Sequence, residues 1–329
     1  MTAALPKAEL HVHLEGTATP ALMRRIARRN GLEVPAGLIG DGDRYAWTGF
    51  LHFLELYDLS VGLLRTGQDY RDVVHDYLVR CAAEGAIYVE LTASPDHAAQ
   101  VGLTDAEHVH ALARGIDDAR ADTGIEARVI MTCVRNYGVE QAEAVARRTV
   151  AVPHPYVVGF GIAGDEAGFP PGPFANPFAI AHDAGLGCTA HAGEWGGPES
   201  IRGALALPGV TRIGHGVRAI EDPGLVEELA GRGTVLEVCP TSNLVLGIYA
   251  TPAEHPLRAL HDAGVKVTLN SDDPAYWGTS VGAEYALAAR ELGFTADELE
   301  AITRTAIEAS FAEDALKTAL LSRLGRTAL

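Results

Sequence analysis

The chain has 329 residues, 47% of them hydrophobic, enough for a sizeable buried core, and carries a formal net charge of −17 from 26 basic and 43 acidic residues. That negative balance repels phosphate backbones and anionic lipid, which argues against nucleic-acid polymers and membrane surfaces as partners. No apolar run approaches the ~20 residues needed to span a bilayer, and the N-terminal MTAALPKAELHVHLEG lacks the basic-then-apolar order of a signal peptide.

β-Rich runs alternate with helical patterns along the chain. Strands are expected near residues 8–14, 87–94, 127–135, 157–164, 187–193, 212–216, 234–242 and 266–273. Between them lie segments such as DPGLVEELAGRG (222–233) and HPLRALHDAG (255–264), where Pro opens a helix and Gly closes it. Strands alternating with helices imply a parallel sheet, and eight such units point to a (β/α)8 TIM-type barrel, with an open doubly wound sheet as the alternative. About 70 residues separate the first two strands, including the helical stretches 18–30 and 50–64. So long an interval reads as a helical lid inserted after strand one, at the end of the barrel where active sites form. The tail beyond about residue 295 reads as extra C-terminal helices. With no internal repeat, low-complexity tract or flexible linker, residues 1–329 are expected to form a single domain. Four cysteines, Cys81, Cys133, Cys188 and Cys239, stand apart without a CxxC pair, as buried thiols in a reducing cytoplasm would.

The polar residues fall at telling places. His11 and His13 alternate along the first strand and share one face, with Leu10, Val12 and Leu14 on the other. By themselves, two such histidines are as compatible with satisfied core residues as with a metal. The fifth strand, however, ends in His191-Ala192-Gly193-Glu194, the sixth in Gly214-His215-Gly216, and the eighth in Ser271-Asp272-Asp273-Pro274. All are C-terminal ends of parallel strands, where barrel active sites converge. Histidines and carboxylates without a thiolate suit zinc with one open position, although iron or manganese fits a similar set. Phosphate-binding glycine loops, GxGxxG after a strand or GxxxxGK, are absent.

In combination, HVHLEG (11–16), SPDH (94–97), AGDE (163–166), HAGE (191–194), GHG (214–216) and SDDP (271–274) make the chain resemble the adenosine deaminase family of the metal-dependent amidohydrolases. The resemblance implies one zinc per chain on His11, His13, His191 and Asp272, and a small-molecule purine as substrate. It makes Glu194 the group that protonates N1, and His215 the group that orients and helps deprotonate the attacking water. Asp273 accepts a hydrogen bond at N7 or contacts the attacking hydroxide, and the Gly164 backbone approaches N3. His13 and Glu15 would face the substrate, Glu15 at the ribose or its replacement, beneath an apolar lid of Phe50, Leu51 and Leu54. Each reading has a plain alternative. Asp165 and Glu166 read as support for the pocket, with capping of the following helix as the alternative; Gly164 serves equally well as a turn residue, and Phe50, Leu51 and Leu54 as ordinary core. His97 and the histidines outside the motifs read as surface or structural residues.

The implied reaction is hydrolytic deamination of adenosine or 2′-deoxyadenosine to inosine or deoxyinosine and ammonia. The alternative is an adenine deaminase, or a deaminase of a modified adenine nucleoside. Glu15 and the run Asp273-Pro274-Ala275-Tyr276-Trp277 look closer to adenine deaminases, whereas Trp195 and Ser94-Pro95 follow the adenosine pattern. A metal-keeping barrel that serves only as a secreted binding protein fits poorly with the missing signal peptide and the intact ligand set. Two-metal hydrolases of the wider group use a carboxylated lysine, and strands four and five contain none. A cytoplasmic location is expected, and monomer and homodimer both stay open.

Overall fold

A computed structural model describes residues 5–324. Eight strands, β1 (Lys7–His13), β2 (Ala86–Ala93), β3 (Glu126–Val134), β4 (Val157–Ala163), β5 (Gly187–Ala192), β6 (Val210–His215), β7 (Val235–Val238) and β8 (Lys266–Leu269), pair in parallel and in chain order. The barrel closes at a single bridge between Val12 and Asp272: the Asp272 N–H donates to the His11 carbonyl at 3.2 Å, and the His13 N–H to the Asp272 carbonyl at 2.9 Å. The seam of the barrel is therefore made by the first and last polar motifs of the chain. The (β/α)8 expectation holds, and the open sheet is set aside.

The last two strands are shorter than their spans in the sequence suggest. After Val238 the chain turns directly into a short helix, Pro240–Val245, opened by its proline. After Leu269 it breaks pattern so that Asp272 takes a left-handed φ of 63°. Between strands, the helix Pro223–Arg232 shows the sequence logic at work: the Asp222 side chain accepts the Leu225 N–H, and Gly233 closes the end at φ 66°. Such an N-cap is worth about 1 kcal/mol.

The outward face of β1 is apolar because it meets helices. Leu10 is buried with Ala306, Ile307 and Leu320 of the two C-terminal helices, Ala296–Ala309 and Asp314–Leu324. The insertion after β1 holds three α-helices, α1 (Pro20–Arg29), α2 (Phe50–Val61) and α3 (Gly67–Ala83), besides two single 3-10 turns. Only the first two match the expected lid. α3 starts with a capping box, in which the Thr66 side chain accepts the Asp69 N–H and Asp69 in turn accepts the Thr66 N–H, and buries Val73, Val74, Tyr77, Leu78 and Cys81. It packs along the helix Asp105–Thr123 and is the true crossover to β2. All four cysteines are free and buried. Among the described residues, no helix is long and apolar enough to cross a membrane.

Candidate active site

Four side chains from three strand ends face one point. His11 and His13 come from β1, His191 from β5, and Asp272 from the turn after β8; their ligand atoms all lie within 4.8 Å of one another. Two of them, His11 and Asp272, are aimed by partners behind them. The His11 Nδ1–H donates to Glu237 Oε2 at 2.9 Å, which leaves the His11 Nε2 lone pair facing the cluster. Glu237, on β7, is held in turn by the Thr189 hydroxyl at 3.0 Å and by Arg212 Nε at 2.7 Å. Burial alone would raise the Glu237 pKa, but Arg212 and His11 outweigh it and keep the carboxyl below its ordinary value. Asp272 Oδ2 accepts the Ser242 hydroxyl at 2.7 Å and the Trp277 indole N–H at 3.3 Å. Its other oxygen, Oδ1, lies 3.4 Å from His11 Nε2 and 3.3 Å from His13 Nε2.

The donor set fits a divalent cation. His11 Nε2 is buried without a hydrogen-bond partner, and the Nε2 atoms of His13 and His191 stand 3.1 Å apart. Lone pairs that close and that dry need a shared positive centre. Three imidazoles and a carboxylate are a zinc-type set, to which a water or substrate atom would add as a fifth ligand. A second grouping, His11, His215, Cys239 and Asp272, also falls within 4.8 Å. We favour the first, because burial pushes the Cys239 thiol far up and the S–H donates to the Glu237 carbonyl at 3.5 Å. A protonated thiol is a poor ligand.

Beside the cluster stand Glu194, His215 and Asp273. Glu194 is buried, with Oε2 3.7 Å from His215 Nε2. Burial, reinforced by the negative charges of Asp272 and Glu166, pushes its carboxyl well above the usual range. Burial lowers His215 to about 4, so the ring is neutral near pH 7. Asp273 is raised too, first by burial and then by Asp272 beside it, and its Oδ1 has no partner. Room for that carboxyl exists because residue 16 is glycine: a Cβ there would lie 1.8 Å from Asp273 Oδ1. His215 and Asp272 both adopt left-handed φ, 61° and 63°. Strain of this kind costs roughly 1–3 kcal/mol per residue and persists where the surroundings fix a functional aim.

These groups line a cavity of about 140 Å³, with Gly164 on its wall and α2 across its mouth. The lid expectation is right for the helix and wrong for one residue. Phe50 and Leu54 line the cavity, together with Phe53, Tyr57 and Asp58 on the same helical face. Leu51 does not: it is 63% exposed, because one residue of helix rotates its side chain ~100° away from Phe50. His97 is a second correction. It is not a surface residue but 5% exposed, lines the cavity, and has neither ring nitrogen hydrogen-bonded. Its Nδ1 is 4.0 Å from Glu15 Oε1 and its Nε2 3.4 Å from Asp58 Oδ1. Glu15 Oε2 accepts the Tyr57 hydroxyl at 3.3 Å, while Oε1 is buried without a partner. Asp165 closes a local turn by accepting the Gly168 N–H at 3.0 Å, whereas Glu166 turns back beneath the loop after β5.

Sequence reasoning passed over Glu237, Tyr57 and His97. The helical period from Phe50 through Tyr57, and the inward position of Glu237 between Leu236 and Val238, were the available signals.

The adenosine deaminase family profile matches residues 6–327. The chain belongs to the adenosine deaminase family. It is 48% identical over 320 residues to a protein named adenine deaminase from Chelativorans sp. (strain BNC1), covering 97% of this chain and 98% of that one. Among solved structures it resembles adenine deaminase from Arthrobacter aurescens, with a TM-score of 0.91, 34% identity and 98% of both chains covered. It also resembles an amidohydrolase from Burkhoderia ambifaria with bound Zn, with a TM-score of 0.89, 28% identity, and 99% and 92% of the two chains covered. This adenosine deaminase family member is accordingly a hydrolytic enzyme acting on a purine C–N bond.

Proposed function

We propose that this adenosine deaminase family member converts free adenine and water to hypoxanthine and ammonia, as a single-domain cytoplasmic enzyme with one zinc held by His11, His13, His191 and Asp272. When bound, such a cation supplies Lewis-acid activation of water near neutral pH. Protonated Glu194 donates its proton to N1 as the water oxygen bonds to C6, so that ring charge does not build up. Neutral His215 receives the proton that the water gives up, and that proton travels on to the departing amino group as the C6–N bond breaks. The C6 hydroxyl then returns its proton to Glu194, leaving the C6 carbonyl of hypoxanthine and the acid restored. Asp273, whose carboxyl is pushed up by burial and by Asp272 beside it, is assigned as a donor to the N7 lone pair; the acceptor role implied by the sequence resemblance would require a proton at N7.

The choice of base over nucleoside rests on one observation, the polar end of the cavity. Asp273 and Glu15 both line the cavity, near enough for the Glu15 charge to act on Asp273, and we place a purine there with N7 at Asp273 and its N9 edge toward Glu15. Glu15 Oε1 is a buried acceptor with no partner, and His97 Nδ1, also without a hydrogen bond, lies 4.0 Å away. Adenine presents an N9–H there, whereas a nucleoside presents a carbon substituent and leaves the acceptor unsatisfied. The full-length relative named adenine deaminase supports the same choice. The adenosine reading therefore gives way to its alternative.

The test is a spectrophotometric comparison of adenine, adenosine and deoxyadenosine on enzyme whose zinc content has been measured. Adenine should be the best substrate by kcat/KM, with about one zinc per chain. A preference for either nucleoside overturns the substrate assignment, and full activity of metal-free protein overturns the metal assignment.

A further inference from the structure

Glu166 follows β4 and is 3% exposed, yet it touches nothing that reacts. Its carboxylate instead receives four consecutive backbone amides of the turn that follows β5. Oε1 accepts Gly193 N–H at 2.6 Å, and Oε2 accepts Glu194, Trp195 and Gly196 N–H at 3.0, 2.9 and 2.9 Å. The Ser200 hydroxyl also donates to Oε1. Consecutive amides converging on one point form an anion-binding nest, and here the anion is the protein's own. Five donors fill the roughly four lone-pair sites of a carboxylate, so the nest is closed to any other ligand. Residue 196 must be glycine for this approach, since a Cβ there would lie 2.5 Å from Glu166 Oε1.

The carbonyl side of the same turn is held as well. Buried Arg135 donates to the His191 carbonyl at 2.7 Å and to the Phe169 carbonyl at 3.1 Å. The turn is thus gripped at its carbonyl end by a guanidinium and along its amides by a carboxylate. Glu194 sits inside that grip. Its own carboxyl group has His215 Nε2 at 3.7 Å, too far for a hydrogen bond, so its aim comes from the backbone beneath it.

We propose that Glu166 is the positioning residue for Glu194, holding the amides of residues 193–196 so that the acid points at purine N1; this rests on Glu194 being that acid. Two further facts agree. Burial alone would raise Glu166, but the bonds from Ser200, Gly196 and Gly193 and the charge of Arg135 keep it below its ordinary value, so it stays ionised. That negative charge is also one of those that help keep Glu194 protonated.

The experiment is a double-mutant cycle on zinc-loaded enzyme, reading kcat and KM for adenine, zinc content and thermal stability. Glu166→Gln places an amide NH2 where three backbone N–H groups need an acceptor. It should lower kcat by about 10²-fold, the cost of misplacing a reacting group by ~1 Å, with KM held within a few-fold and zinc retained. Glu166→Asp, which keeps the charge on a shorter arm, should recover part of the loss. On a Glu194→Gln background, adding Glu166→Gln should cost little further kcat, because its effect runs through Glu194. Unchanged kcat in Glu166→Gln overturns the proposal, as does a fall that is fully additive with Glu194→Gln. So does loss of zinc in parallel with activity in both Glu166 variants, which would mark a purely structural role. A Glu194→Gln enzyme with near-normal kcat would be a different failure: it removes the acid assignment itself, and the positioning role with it.

Discussion

Replacing Glu15 by glutamine exchanges an acceptor for a donor in the wall of the cavity. In the native site, Oε2 takes the Tyr57 hydroxyl at 3.3 Å and Oε1 is left for the substrate. A glutamine keeps the Tyr57 bond through its carbonyl and turns its NH2 toward the purine N9–H, donor against donor. The lost interaction is a hydrogen bond to a carboxyl group in a buried site, worth roughly 1.5–3 kcal/mol. That converts to a fall of roughly 10- to 150-fold in kcat/KM for adenine. Adenosine has no N9–H to lose, so its slow turnover should stay level and the adenine-to-adenosine ratio should narrow by the same factor. The assay is steady-state kinetics with both substrates on native and Glu15→Gln enzyme, with zinc content measured in parallel. An unchanged ratio, or an equal fall for both substrates with zinc intact, would refute the placement of N9 at Glu15.

Glu194→Gln should retain zinc while kcat falls by roughly 10²–10⁴, and metal loss in that variant would instead make Glu194 a ligand support. Because burial raises Glu194 and its proton is needed, native kcat should fall on the alkaline side, as pH rises through that elevated pKa; a profile that climbs steadily with pH would contradict the acid role. Glu284 accepts the Thr241 N–H at 3.1 Å, and burial raises it to about 7 from 4.5. Its folded pKa is the higher one, so its contribution to stability is full below pH 4.5 and is lost as pH rises through about 7, by roughly 3 kcal/mol at most. Thermal melts of Glu284→Gln should therefore lose less stability than native protein between pH 5 and pH 8, and identical slopes would count against the shift. Exposed Leu51→Ser should leave kcat/KM unchanged, whereas Phe53→Ala on the cavity face should raise KM and cost about 3–5 kcal/mol of stability; the reverse pattern would mean that α2 presents its other face.

Much of the site is legible in the sequence because strand geometry is strict. A period of two puts His11 and His13 on one face, and the ends of parallel strands converge, so HAGE, GHG and SDDP meet without any knowledge of packing. What stays hidden depends on contacts between elements. Leu51 and Phe53 are equally apolar within FLHFLELYDLSV, and only the docking of α2 onto the barrel decides which of them turns inward. His97 lies on a short helix after β2 and becomes a cavity residue because α2 brings Tyr57 and Asp58 against it. Glu237 looks like one more polar residue on a short strand until His11 and Arg212 are seen on its two sides. α3 is hidden because the whole interval after β1 reads as one lid, while its buried face follows the helical period that a crossover needs. Glu166 lies next to a turn-forming Asp165, and the sequence leaves pocket support and helix capping open for both; only the β5 turn folded over the Glu166 carboxylate separates their roles.

The most direct measurement is deamination of 9-methyladenine beside adenine, since the two differ only in whether N9 carries a proton or a methyl group. Zinc-loaded enzyme should convert adenine and reject its 9-methyl analogue by roughly 10⁴-fold or more in kcat/KM, the discrimination shown by sites built to pair with a substrate N–H or O–H. Comparable kcat/KM for the two compounds would contradict recognition of the free base.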